Sequence, residues 1–372
     1  ELLNQHRLIN DAHINKITLE AIRNGNVAVL RFLTEAFASS FNFELTIEGA
    51  IANFNDYLEL AASNGHMGVL RFLTDKFDFT NANARAIVTA ADNGHLEVLR
   101  FLTDKFDLTI EDARSCYTGA LIVAASNGHM GVLRFLTDTF EFTNADARAE
   151  NNWALKRAAQ NGHVEALRIL TDKFDLTIED ARASNNEALR EAASNGHLEV
   201  LRFLTDKFDL TIEDARASNN EALREAADNG HLEVLRFLTD KFRLTIYDAI
   251  DCDNAALRLA ASNGHLEVLR FLTDKFKFIN EDVKAEDNEA LRYAAYNGHL
   301  EVLRFLTDKF RLTIDDAIDC DNYALRLAAS NGHLEVLRFL TDKFKFINED
   351  ARASNNEALR MAAQNGHLEV LR

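Results

Sequence analysis

Apolar positions between Glu187 and Phe208 fall into two blocks with helical spacing. Ala188, Leu189, Ala192 and Ala193 recur at i, i+1, i+4 and i+5, which is one face of a helix. Small alanines on that face let another helix approach closely. Asn195-Gly196 ends the first helix, because glycine enters the left-handed conformation without a Cβ penalty. His197 opens a second helix, in which Val200, Leu201, Phe203, Leu204 and Phe208 cover a wide arc. That arc suits a helix packed against its own partner and against copies on both sides. Glu199 and Arg202 form an i, i+3 pair on the exposed side, contributing a few tenths of a kcal/mol at most. Upstream, a side-chain oxygen of Asn185 or Asn186 is expected to cap the first helix, with Glu187 at the positive end of its dipole. Downstream, Thr211-Ile212-Glu213-Asp214 has the spacing of a capping box, which predicts a short helical turn.

The whole pattern repeats. Asn-Gly-His returns at Asn64, Asn93, Asn127, Asn161, Asn195, Asn229, Asn263, Asn297, Asn331 and Asn365, and Asn-Gly-Asn opens the series at Asn24. From Asn93 every step is 34 residues, while the first two steps are 40 and 29. A fixed period of this length means a solenoid or array. The expected organisation is one repeat domain over 1–372, with an N-terminal cap region at 1–26, irregular repeats at 27–92 and regular repeats at 93–372. The first irregular repeat carries extra residues between Phe37 and Thr46. The next is five residues short at 84–94, so its first helix is expected to be clipped or to start late. The last copy stops at Arg372, partway through the motif. Phe174–Lys207 and Phe208–Lys241 differ only at Ser194 against Asp228, which points to growth by duplication.

Composition narrows the function classes. The chain has 372 residues, 47% hydrophobic and 27% charged, with a net charge of −18. That sign argues against nucleic acid and against an anionic membrane surface, and allows a basic partner. No apolar run approaches the ~18 residues that span a bilayer. The three cysteines and the lack of an Asn-X-Ser/Thr acceptor suit a reducing, intracellular compartment. Cys252 and Cys320 lie two periods apart, about 20 Å in a stacked array, too far for a disulfide. Proline is absent, so helix breaks fall to Gly, Asn and Asp.

The segment ALREAASNGHLEVLRFL resembles the ankyrin repeat. Leu189 falls on its leucine, Ala192-Ala193 on its Ala-Ala, Gly196-His197 on its Gly-His, Val200-Leu201 on its apolar pair and Leu204 on its second-helix leucine. The resemblance covers nearly the whole chain in ten or eleven copies. It implies an all-α, ankyrin-like helical solenoid of helix-turn-helix repeats. Glu187, Ala188 and Arg190 stand where ankyrin repeats have Thr, Pro and His, so the usual hydrogen bonding of that turn is lost, and Asn185/Asn186 capping is expected in its place. The connecting segment is one residue longer, which predicts short or absent β-hairpins. The resemblance further implies that the motif histidine is structural, bridging to the backbone of the neighbouring loop, and that the first helix and loops line a concave binding face.

Candidate chemistry is sparse. The motif histidines of adjacent repeats lie about 10 Å apart, whereas zinc needs ligands ~2 Å from one centre, so no metal site is expected. No phosphate loop, zinc-protease or Cys-X-X-Cys motif occurs, and no enzymatic activity and no cofactor is expected. Acid pairs such as Glu213-Asp214 are expected on a solvated turn. The positions that vary on the constant frame carry the specificity. One reads Trp153, Glu187, Glu221, Ala255, Glu289, Tyr323 and Glu357. The other reads Arg157, Glu191, Glu225, Leu259, Tyr293, Leu327 and Met361, with Tyr296 beside it. These residues either fill inter-repeat packing or line a groove, acidic in the middle and apolar toward the C-terminus. The expected function is a non-enzymatic scaffold that binds a basic or apolar segment of another protein. The alternative is a structural protein that self-associates head-to-tail into filaments.

Overall fold

A computed structural model describes residues 11–36, 56–77, 84–108, 119–346 and 352–372. The chain forms two compact units, Glu1–Asp180 and Ala181–Arg372. Each is a stack of helical repeats, and the described residues contain no strand. The insertion expected between Phe37 and Thr46 lies outside the described residues.

The repeat around Gly196 shows the construction. The segment Ala183–Ser194 carries the first helix and Leu198–Lys207 is the second. Between them Asn195 has φ −97°, ψ 5°, and Gly196 has φ 77°. The Gly196 N–H donates to the Ala193 carbonyl (3.2 Å) and the His197 N–H to that of Ala192 (2.8 Å). This is the Schellman closure that glycine permits. Leu189, Ala192, Ala193, Val200, Leu201 and Leu204 are at most 1% exposed, and Phe208 is 6% exposed. First helices pack more closely on one another than second helices do, because their facing side chains are methyls. A one-turn helix, Ile212–Ala215, then leads into the next repeat, as the Thr-x-x-Asp spacing predicts.

Three expectations change. Asn185 and Asn186 do not cap the first helix through their side chains. Instead Ser184, Asn185 and Asn186 are left-handed, with φ of 54°, 56° and 60°, and the right-handed helix begins only at 187. The same three-residue left-handed turn recurs at 150–152, 218–220, 252–254, 286–288 and 354–356. Consecutive left-handed residues cost about 1–2 kcal/mol each, least for Asn and Asp. Arg190 offsets that cost: its Nε donates to the Asn185 carbonyl (2.9 Å) and Nη2 to the Ser184 carbonyl (3.2 Å). The Asn186 Oδ1 is buried and accepts no hydrogen bond from the described residues.

The short repeat does not have a clipped first helix. Ala84–Asp92 spans nine residues and buries Ala86, Ile87, Ala90 and Ala91 like its counterparts. The missing residues fall before it. At the N-terminus, Asp11–Arg23 occupies the first-helix position and pairs with Val27–Ala36, so the cap region is built as a repeat.

Glu213-Asp214 is not a solvated acid pair. Glu213 is exposed, but the Asp214 side chain is only 4% exposed. Its Oδ2 accepts from the Thr211 N–H (2.8 Å) and hydroxyl (3.1 Å), and its two oxygens accept Arg182 Nε (2.6 Å) and Nη2 (3.0 Å) from the preceding repeat. Arg216 grips Asp248, and Arg148 grips Asp180, in the same bidentate way. Lys284 Nζ lies 2.6 Å from Asp316. Burial pushes these carboxyls up. The cations and threonine donors outweigh it and hold all four below the usual carboxylate value.

Candidate protein-interaction face

The motif histidine is spent on stacking. His231 Nε2 bonds the Ser194 carbonyl (3.0 Å), His265 that of Asp228 (2.9 Å) and His333 that of Tyr296 (2.8 Å). A carbonyl only accepts, so Nε2 carries the hydrogen and the imidazole cannot present that nitrogen to a metal. The ring also fills the space beside the preceding glycine. A Cβ on Gly196 would lie 2.7 Å from His231 Nδ1. The Asn of the motif adds to this bridge. Asn263 Nδ2 donates to the Asp228 carbonyl (2.9 Å) and carboxylate (2.7 Å) of the preceding repeat.

The first of the two variable positions is also an inter-repeat contact. Glu221 pairs with Arg190, Glu289 with Arg258, and Glu357 with Arg326 at 2.6 Å. Tyr323 replaces the acid and is flanked by Arg292 and Arg326, each about 5 Å from its ring centroid (5.3 and 5.1 Å). Ala255, only 5% exposed, has no such partner to offer Arg224. In the other unit, Trp153 stacks on Arg157 (4.1 Å) and Lys156 (5.2 Å), and Arg157 also bonds Gln160. Glu187 is half-buried. Glu221, Glu289, Glu357 and Tyr323 thus belong to the frame, and the first-helix arginine of residues 181–372 is what makes them so. Its double role, on the left-handed turn and across to the next repeat, is invisible in a linear motif because its partners are carbonyls and a residue 31 positions away.

The second variable position is freer. Glu191, Leu259, Leu327 and Met361 are half-buried. Glu225 lies beside Ser194 Oγ (3.4 Å). Burial, with Asp228 and Glu221 adding repulsion, pushes its carboxyl above the usual value. Tyr293 and Tyr296 are each 40% exposed and meet edge to face, with centroids 6.2 Å apart and planes at 72°. The acidic and aromatic residues therefore share one helix face in the unit 181–372, at successive repeats.

Outside that face, the second helices carry two regular ladders. Arg202, Arg236, Arg270 and Arg304 each lie over the phenylalanine of the next repeat, at 5.0–5.2 Å from the ring centroid. Lys241, Lys275, Lys309 and Lys343 each reach back to an aspartate of the preceding repeat, at 2.5–2.8 Å. No group of three or more candidate metal ligands occurs among the described residues. None of the described helices is long and apolar enough to cross a membrane.

The sequence matches the family description "Ankyrin repeats (3 copies)" over residues 111–180. It matches "Ankyrin repeats (many copies)" over 223–273, 291–341 and 325–372. Together the matched segments cover more than half of the chain. No curated protein matches it.

Proposed function

As the chain belongs to the ankyrin-repeat family, whose repeats generally mediate protein–protein interaction, we propose that it is a non-enzymatic scaffold that engages its partner along the first-helix face of residues 181–372. The carrying observation is the Tyr293–Tyr296 pair, exposed on a face where neighbouring positions are alanine or packed leucine. Exposed tyrosines have large, rigid, amphipathic surfaces and are typical anchor residues of interfaces. Glu191 and Glu225 favour a basic segment of the partner next to an apolar one. Glu221, Glu289, Glu357 and Tyr323 support the frame and contribute to binding only through it.

The repeats themselves supply neutral replacements. Tyr293→Glu and Tyr296→Ser install the residues that Glu191 and Ser194 carry at the same register. The double variant should fold like the wild type and lose the proteins that the wild-type chain captures. An identical captured set would overturn the face assignment. Glu191→Lys/Glu225→Lys tests the acidic half in the same way.

The alternative reading is head-to-tail self-association of the near-identical repeats. Light scattering against concentration separates the two: a mass that stays monomeric excludes assembly.

A further inference from the structure

The arginine ladder of the second helices is broken on both sides of one member, Arg134. Regular members have two partners. Arg202, Arg236, Arg270 and Arg304 each sit 3.5–3.6 Å from the glutamate three residues before, and each lies over the phenylalanine of the next repeat. Within residues 1–180, Arg100 has Glu97 (3.9 Å) and the Phe135 ring (5.1 Å). Arg71 has Gly68 where that glutamate would be, but keeps the Phe101 ring (5.4 Å). Arg134 has neither partner: Gly131 stands in place of the glutamate, and Ile169 of the next repeat in place of the phenylalanine. The fold does not demand the glycine. Gly131 is helical, and an added Cβ would meet only the Leu96 Cδ2 methyl at 3.4 Å. Glycine for glutamate in a first helical turn costs backbone entropy and a favourable dipole interaction.

Beside Arg134, between the second helices Met130–Thr139 and Val164–Lys173, lies a cleft of about 300 Å³ with the buried Ile169 at its base. Its charged lining is balanced, with Arg134, Arg168 and Lys173 against Asp138, Glu165 and Asp172. The acids are committed. Lys173 holds Asp138, Arg168 holds Glu165 (3.2 Å), and Asp172 is engaged as well. The exposed Arg134 guanidinium makes no ion pair with any described residue, and no described ring covers it.

We propose that this cleft binds a carboxylate joined to an aromatic ring, the two groups that regular ladder arginines find within the chain and Arg134 does not. The carboxylate accepts a charge-assisted, bidentate pair from the guanidinium. The ring packs on the guanidinium face as Phe237 does on Arg202. Charge sets the valence of the ligand. One unpaired cation among three committed acids matches a single negative charge, whereas a phosphate dianion meets repulsion from Asp138, Glu165 and Asp172. Size sets its extent: the cleft is at the small end of ligand sites and takes one ring with its acid. Two sources carry this chemistry, a free aryl-substituted carboxylic acid and the C-terminal phenylalanine or tyrosine of another protein. The site is built on second helices and uses no residue of the first-helix face.

The test is ligand-observed NMR titration of the full chain with two probes and their amides. One probe is 3-phenylpropionate, and the other is the peptide acetyl-Gly-Ser-Gly-Phe with a free C-terminal carboxylate. The Gly131→Glu/Ile169→Phe variant returns to the ladder the residues that Glu97 and Phe135 carry at the same registers, so it should fold like the wild type. Expected is saturable binding of the carboxylates that weakens ~10-fold or more in this variant, in Arg134→Gln and on amidation of the probe. Binding should be unchanged in Tyr293→Glu/Tyr296→Ser, which alters only the first-helix face. Tighter binding of the peptide supports the site with a chain terminus as its ligand, and tighter binding of phenylpropionate supports it with a small acid. Absence of saturable binding, equal binding of the amides, or undiminished binding by Gly131→Glu/Ile169→Phe overturns the proposal. So does tighter binding of inorganic phosphate than of either carboxylate.

Discussion

Gly230→Ala tests the stacking device of the fold at one atom. Gly230 has φ +77°, where alanine costs about 1–2 kcal/mol, partly offset by its lower unfolded-state entropy. Its new methyl would also lie 2.6 Å from Nδ1 and 2.7 Å from Cε1 of His265, so the imidazole must move. Moving it breaks the 2.9 Å bond from Nε2 to the Asp228 carbonyl. That loss costs about 1 kcal/mol net, rising to ~3 if the carbonyl stays dry. The sum is about 2–4 kcal/mol. Gly366 supplies the control. It has the same φ of +77° but no atom within 4 Å of the added methyl, so Gly366→Ala should cost only the backbone part, ~1 kcal/mol. Hydrogen exchange of amides in the two repeats is the right assay, because stability in an array is local and global unfolding need not be two-state. A Gly230→Ala loss no greater than that of Gly366→Ala would refute the argument. So would strict additivity of Gly230→Ala with His265→Ala, since residues in contact should couple.

Other predictions follow from the same geometry. Asp248→Ala frees the Thr245 amide and leaves Arg216 without its acid. It should cost ~2–3 kcal/mol, less than a fully buried pair because the guanidinium reaches solvent. Because the folded Asp248 carboxyl sits below 3.8, that contribution is complete above 3.8 and fades as pH falls through the folded value, so wild type and variant should converge in acid urea titrations. Burial, with neighbouring histidines adding to it against the Ser194 and Ser262 carbonyls, holds the imidazoles of His231 and His299 below 6.5. The unfolded chain therefore binds more protons below 6.5, and thermal midpoints should fall as pH drops through that value toward the folded ones. Glu225→Gln removes a carboxyl that burial, Asp228 and Glu221 push upward. It should raise stability by a few tenths of a kcal/mol at pH 7 and have no effect once pH falls below 4.5, where the wild-type group is protonated as well.

The repeat, its two helices, the glycine closure and the one-turn helix after Thr211 could all be read from the chain. Each depends on residues a few positions apart: apolar spacing for Leu189 and Leu201, a left-handed residue at Gly196, a threonine three before an acid. The histidine bridge was legible only through family resemblance, since its acceptor lies in another repeat. The variable positions were legible as variable, but their roles were not. Glu221 and Tyr323 look as free as Glu225 and Tyr293 in the sequence, yet the arginine of the preceding repeat claims the first pair and leaves the second.

Periodicity by itself determined that this protein is a stack of near-identical helical repeats. A fixed apolar face repeated every 34 residues can be buried only against its own copies. The tertiary structure decided what the polar residues do. It turned Asn185-Asn186 from a cap into a left-handed turn, Asp214 from a solvated acid into a buried clamp, and the first-helix arginines into inter-repeat ties. The physical reason is range. Burial of an apolar face follows from local spacing, whereas a charge's role depends on partners about 30 residues away that meet only when repeats stack.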